Sequence, residues 1–241
     1  MKALAIENLT YSYAPNQKPV LNDLSFSLNR GDSLGIIGLN GSGKTTLSYC
    51  LCGIIPHYLQ GVLKGSVFVN GHETRAMPLS RLTTEIGIVL QDPNIQLLMP
   101  TVEEDLAFGL ENLNIPRVEI GKTIDRICAL TGIGHLRNEN PNRLSGGEKQ
   151  LVALSTVLAM DPSVIIFDET LSMLDDQAAD NILAVMVKLK AEGKTLVIID
   201  HTGKSRTVYE QAFILEDGRI LECGSTDAIF KAYYCRERQQ R

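Results

Sequence analysis

The chain has 241 residues, with 23 Lys and Arg against 28 Asp and Glu for a formal charge of −5, a length that allows one large domain or two small ones. The acidic balance excludes a protein whose main business is sheathing nucleic acid, which would need a basic face. The longest apolar runs, at residues 34–38, 164–167 and 196–199, fall far short of the roughly 20 residues with which a helix crosses a bilayer.

In chain order, residues 1–10 carry Glu7 inside an apolar stretch, so no secretory signal is expected. Period-two alternation over residues 3–13 and 20–28 predicts two strands. The apolar run 34–38 predicts a strand covered on both faces, and residues 44–52 then read as a helix. A further strand at 65–69 runs into the turn pair Asn70-Gly71. Residues 86–90, 164–167 and 196–199 are short apolar runs suited to central strands of a parallel sheet.

Between them, about residues 101–160 look helical. Thr101 with Glu104 and Ser145 with Glu148 both match the capping box that opens a helix. Residues 176–191 predict a helix whose buried face carries Ile182, Val185, Met186 and Leu189. Residues 212–223 read as a hairpin around Asp217-Gly218. Ile229, Phe230, Tyr233 and Tyr234 then give a last helix an apolar face, ahead of a charged tail, 236–241, expected to be solvated. The five cysteines (Cys50, Cys52, Cys128, Cys223 and Cys235) are odd in number and form no CxxC pair, which fits reduced thiols in cytosol. There is no internal repeat. The elements sum to an α/β domain with a mostly parallel sheet and flanking helices. An N-terminal antiparallel β subdomain (about 1–35 and 60–75) and a helical insertion subdomain (about 95–160) are expected within one domain, 1–241.

One segment carries chemistry on its own. Gly38-Leu-Asn-Gly-Ser-Gly-Lys44-Thr45 matches the P-loop pattern and lies between a predicted strand and a predicted helix. The glycines permit a turn whose N–H groups point inward, and the helix N-terminus adds its partial positive charge, so the loop cradles a phosphate. Lys44 reaches the outer phosphates, and the Thr45 hydroxyl is a Mg²⁺ ligand. This identifies a P-loop NTPase core. Asp168-Glu169 ends a predicted strand. Alone, the two acids could equally be a solvated pair. After a P-loop they read as a metal-holding Asp168 and a water-polarising Glu169.

Between those motifs, Leu144-Ser-Gly-Gly-Glu148-Lys-Gln150 resembles the signature of ATP-binding cassette (ABC) ATPases, and almost the whole chain follows that family's motif order. Tyr13 stands where the family stacks an aromatic on adenine, with Tyr11 a competing candidate. Gln91 occupies the Q-loop position, Ser172-Met-Leu-Asp175 resembles the D-loop, and His201 resembles the switch histidine. The resemblance implies ATP and Mg²⁺ as ligands. Tyr13, Gly38, Asn40, Gly41, Ser42, Gly43, Lys44, Thr45 and Thr46 would hold the nucleotide, and Thr45, Gln91 and Asp168 the metal. Glu169, His201, Lys44 and Gln91 would carry catalysis. Ser145, Gly146, Gly147 and Asp175 would serve ATP held by an opposite subunit, with Ser145 also a helix cap. The family's catalytic glutamate is usually followed by Pro-Thr. Here Thr170-Leu171 follow, and Leu151 replaces a basic residue common after the signature Gln. Loss of the proline frees φ and restores an N–H.

The stretch from Gln91 through Gln96 to Thr101-Val-Glu-Glu-Asp105-Leu-Ala-Phe108 looks like the ATPase of energy-coupling factor (ECF) importers, which take up vitamins and transition-metal ions. Leu97, Leu98 and Met99 would form an apolar patch for a partner's helix, with Asp92 placed to pair a basic residue; packing inside the helical insertion is the alternative. The implied partners are a second ABC ATPase subunit, in a homodimer or heterodimer, and integral membrane transport subunits. They would hold the chain at the inner face of the cell membrane. Nucleic acid is not an expected partner. Another importer class, a soluble ABC protein acting on nucleic acid, and a nonenzymatic ATP-binding regulator are the competing readings. His57 is expected to be structural or solvated.

Overall fold

The computed structural model describes the backbone of residues 1–240 and the side chains of residues 1–236. Beyond Arg236, the tail expected to be solvated lies outside the described side chains. Strands β1 (Lys2–Ser12), β2 (Leu21–Asn29) and β3 (Ser33–Ile37) are followed by α1 (Lys44–Leu51) and the single turn α2 (Ile54–His57). Then come β4 (Val62–Val69), β5 (His72–Glu73), α3 (Leu79–Glu85) and β6 (Ile86–Val89). The helical segment resolves into α4 (Val102–Asn112), α5 (Arg117–Thr131) and α6 (Gly146–Ala159). The chain closes with β7 (Val164–Asp168), α7 (Asp176–Ala191), β8 (Thr195–Ile199), β9 (Gln211–Glu216), β10 (Arg219–Ser225) and α8 (Thr226–Gln240).

Two sheets form. One is antiparallel, in the order β2-β1-β4-β5; the other has the order β10-β9-β3-β8-β7-β6. All neighbours in the second are parallel except the β9–β10 hairpin. Every residue of β3, β7 and β8 is buried, as strands covered on both faces require. Their side chains alternate between two cores: Leu196 and Ile198 point to the helices α4–α8, while Val197 and Ile199 point to α1 and the antiparallel sheet. The strand predicted from residue 65 begins at Val62 instead. Gly65 sits inside it at φ +81, where a side chain would strike the Asn8 and Glu7 carbonyls at 2.4 Å, so the glycine marks close approach to β1 and not a strand end.

Both capping boxes form: Thr101 and Ser145 accept from the Glu104 and Glu148 N–H groups, and both glutamates reach back to the cap N–H. Helix α7 buries Ile182, Val185, Met186 and Leu189, the face expected from their spacing. Helix α3 and the two-residue β5 were not predicted, because neither carries an apolar periodicity long enough to read.

Candidate functional site

Strand β3 delivers the chain to Gly38, and the loop returns it to α1 at Lys44. Gly38 is required by crowding, since a Cβ there would meet the Leu215 carbonyl at 2.4 Å. Gly43 caps α1 at φ 105, a backbone conformation that favours glycine. The Lys44 ammonium is spent within the fold: it donates to the carbonyls of Gly38 (2.9 Å) and Leu39 (3.0 Å) and pairs with Glu169 Oε1 at 3.2 Å. A cleft of about 390 Å³ opens over the loop, with Asn40, Gly41, Lys44, Thr45 and Thr46 on one side and Gln91 and Glu169 on the other.

Asp168 and Glu169 end β7 and diverge. Asp168 is buried, with Oδ2 2.9 Å from Ser48 Oγ and Oδ1 without a hydrogen-bond partner among the described residues. Burial pushes its carboxyl above the usual range, against the Ser48 hydrogen bond, and the Glu169 charge adds to the push. A bare, buried carboxylate oxygen fits a cation site, because an ion would supply the missing partner. Glu169 takes the left-handed conformation at φ 52. That turns its carboxylate back over the loop, between Lys44 and His201 Nδ1, the latter 3.4 Å from Oε2. Ser172 anchors the turn through its N–H and hydroxyl on the Glu169 carbonyl, and Gln91 Nε2 donates to the same hydroxyl at 3.2 Å.

The turn therefore holds without the family's proline. Thr170 and Leu171 are both buried, and Leu171 joins the helical-side core. Leu151 is buried in that core as well.

Of the two aromatics, Tyr11 is fully buried with its hydroxyl on the Gln60 carbonyl, whereas Tyr13 is exposed and lies 2.9 Å from the Thr46 hydroxyl. The loop thus meets Tyr13. Lys44, Thr45, Thr46, Gln91 and Glu169 line one cleft, His201 adjoins it through Glu169, and Asp168 is buried against Ser48 of α1. Ser145, Gly146, Gly147 and Asp175 do not line the cleft. Asp175 caps α7 by accepting from the Ala178 N–H at 2.8 Å. Gly147 packs where a Cβ would strike Ala178 at 2.5 Å, joining the start of α6 to α7, and Gly146 faces open space.

In the segment after Gln91, Asp92 is exposed. Its Oδ1 accepts from the N–H and side-chain amide of Asn94, because the following proline favours a turn that the aspartate closes. Leu97 packs inward against the helical core, while Leu98 is exposed and Met99 half-buried. Leu98, Tyr58, Phe108 and Met160 flank a groove of about 380 Å³, and Asp105 lies in its wall. Sequence reasoning missed Asp105: one oxygen accepts from the Leu98 and Met99 N–H groups, and the other, buried, has no partner among the described residues. His57 is structural, with Nε2 on the Thr74 carbonyl at 3.1 Å.

A family model described as ABC transporter matches residues 21–172. The chain is 36% identical over 228 residues to an energy-coupling factor transporter ATP-binding protein, EcfA1, of Mycoplasmoides gallisepticum, covering 95% of this chain and 80% of that one. It is 37% identical over 230 residues to EcfA1 of Halalkalibacterium halodurans, covering 95% and 81%. Among solved structures, cbiO1 from Clostridium perfringens, described as part of the ABC transporter complex cbiONQ, aligns with a TM-score of 0.84 at 30% identity, covering 100% of this chain and 95% of that one. A nucleotide-free ATP-binding cassette from an ABC transporter aligns with a TM-score of 0.81 at 25% identity, covering 96% and 94%.

Proposed function

Because this chain belongs to the ABC transporter family of ATPases, we propose that it is the ATP-binding and hydrolysing subunit of an importer of the energy-coupling factor type. The observation that supports this reading is the division of its motifs. The P-loop and Glu169 share one cleft, with His201 3.4 Å from Glu169, while Ser145, Gly146 and Gly147 do not line it. One chain thus offers a phosphate cradle and, elsewhere, a helix N-terminus for another chain's ATP. Two cassettes complete two sites.

At each site Lys44 exchanges Glu169 for the outer phosphates, which frees the carboxylate to polarise a water for attack on the γ-phosphorus, with ADP as leaving group. His201 and Gln91 orient the γ-phosphate and the water, and Tyr13 receives the base. Thr45, Asp168 and Gln91 would hold Mg²⁺, which when bound neutralises charge developing on the phosphate oxygens. ATP stabilises the closed pair and hydrolysis releases it, which supplies the differential affinity a switch needs. Among the described residues no helix is long and apolar enough to cross a membrane, so force reaches the bilayer through membrane-embedded partner subunits. The groove beside Leu98 and Phe108 is the surface for one of their helices, at the inner face of the membrane. The solute, a vitamin or metal ion in this class of importer, is selected by those partners.

Gel filtration of Glu169→Gln tests the reading. An ATP-dependent shift from monomer to dimer is expected, together with loss of turnover in Lys44→Ala. Absence of any ATP-dependent dimer, or sustained turnover without Lys44, would overturn it.

A further inference from the structure

The imidazole of His201 makes no hydrogen bond among the described residues; its one polar contact is the 3.4 Å approach to Glu169. No hydrogen bond among the described residues holds the ring, so its placement depends on how the backbone that carries it is held. On the N-terminal side that backbone is tied into the sheet: Glu169 N–H donates to the Ile199 carbonyl and Asp200 N–H to the Ile36 carbonyl, both at 3.1 Å. On the C-terminal side there is no strand or helix, only a tight turn over residues 201–208.

One buried side chain gathers five of the turn's donors. Asp200 is buried, and its Oδ1 accepts from the Thr202 N–H (2.7 Å), the Thr202 hydroxyl (2.7 Å) and the Gly203 N–H (3.1 Å). Its Oδ2 accepts from the Ser205 N–H at 2.9 Å and from the Ser205 hydroxyl. All five donors lie on the turn and none on the cleft, so Asp200 acts on the site through backbone alone. The turn is also a junction. Lys204 Nζ donates to the Leu174 carbonyl at 3.0 Å, beside Asp175, and Tyr234 of α8 reaches the Thr202 carbonyl at 3.4 Å.

We propose that Asp200 is the positioning residue for His201. By gathering the donors of residues 202–205 onto one buried carboxylate, it fixes the chain after His201 and holds the imidazole toward Glu169. Through Lys204, the same turn carries any displacement of residues 172–175 to the histidine. This rests on the proposed role of His201 in hydrolysis, and the test separates the two.

The measurement is steady-state ATP hydrolysis by the full chain in a double-mutant cycle over Asp200 and His201. Asp200→Ala is expected to lower kcat on the order of ten- to a hundredfold, the scale of a misplaced catalytic group, with KM for ATP changed less than about twofold. Asp200→Asn keeps a carbonyl acceptor for Thr202 and Gly203 but sets an amide against the Ser205 N–H, so it should lower kcat less than alanine but still severalfold, and it serves for the cycle if the alanine variant does not fold. In a His201→Ala background either Asp200 change should cost almost nothing further. Equal factors in both backgrounds would show that Asp200 acts independently of His201 and would overturn the proposal alone. Wild-type turnover in His201→Ala would overturn the role of His201 and the proposal with it. NMR gives a readout free of turnover: of the four histidine C2–H signals, Asp200→Asn should broaden or split only the one lost in His201→Ala. An unchanged His201 signal in Asp200→Asn would count against the proposal.

Discussion

Replacing Gln96 by alanine should loosen the edge of the central sheet. Strand β6 is that edge, paired among the described residues only with β7, so its outer N–H and C=O groups meet no strand there. Gln96 takes the place of one. Its Oε1 accepts from the Leu90 N–H at 2.8 Å, and its Nε2 donates to the Ile88 carbonyl at 3.1 Å. Two such bonds contribute about 1 kcal/mol each, and orphaning their backbone partners adds to the loss. The side chain is only partly buried, so water reaches the freed groups and limits that addition. The total is about 2–3 kcal/mol, which for a domain of this size lowers Tm by about 5–10 °C. Thermal denaturation followed by circular dichroism measures it, and hydrogen exchange at the Leu90 amide should accelerate in parallel. Gln96→Glu keeps the acceptor but sets a carboxylate oxygen against the Ile88 carbonyl, so it should not restore Tm. A melting point for Gln96→Ala within 1 °C of wild type would refute the idea that this side chain closes the sheet edge.

Gly35→Ala should destabilise by about 2–3 kcal/mol through overpacking, because the added methyl would meet the buried Tyr209 ring at 2.2 Å. Tyr209→Leu should return part of the lost Tm to that variant, and no recovery would mean the ring is not the obstacle. Asp168→Asn should abolish hydrolysis yet melt higher than wild type at neutral pH. The folded pKa of Asp168 is raised by burial, so its ionised form disfavours the fold, and the penalty is absent below the unfolded value of about 3.9 and grows as pH rises through the folded one. The gap in Tm between the two proteins should therefore close toward pH 4, and a constant gap would contradict the burial argument.

What could be read from the chain alone was chemistry written in consecutive residues. Eight adjacent positions specify the loop from Gly38 to Thr45, and two acids after an apolar run specify Asp168 and Glu169, because backbone geometry links each group to its neighbours. Capping boxes were legible for the same reason. Contacts across the sheet were not. Ser48 meets Asp168, and Tyr209 covers Gly35, yet neither partner carries a local pattern. Asp105 follows Glu103 and Glu104, and its place in the run does not distinguish it; it is buried because residues 97–99 cross the start of α4 and turn two N–H groups onto it. Asp92 carries a second, local role that the Asp92-Pro93-Asn94 pattern already described: one of its oxygens closes the turn on Asn94.

The proposed order of events at the nucleotide site follows from counting donors on one ammonium. Lys44 has three N–H bonds, and three oxygens take them: two carbonyls of the loop and the Glu169 carboxylate. A phosphate must displace at least one. The carboxylate is the partner it most resembles in charge, and the one whose release costs the loop no backbone hydrogen bond. Glu169 is held on the left-handed turn by Ser172 and faces His201, so once displaced it would stay over the cleft, where the proposed function places the base. Nucleotide entry and deployment of the base are then one exchange at a single cation. Glu169 would be kept from polarising water until a phosphate has taken its place on Lys44.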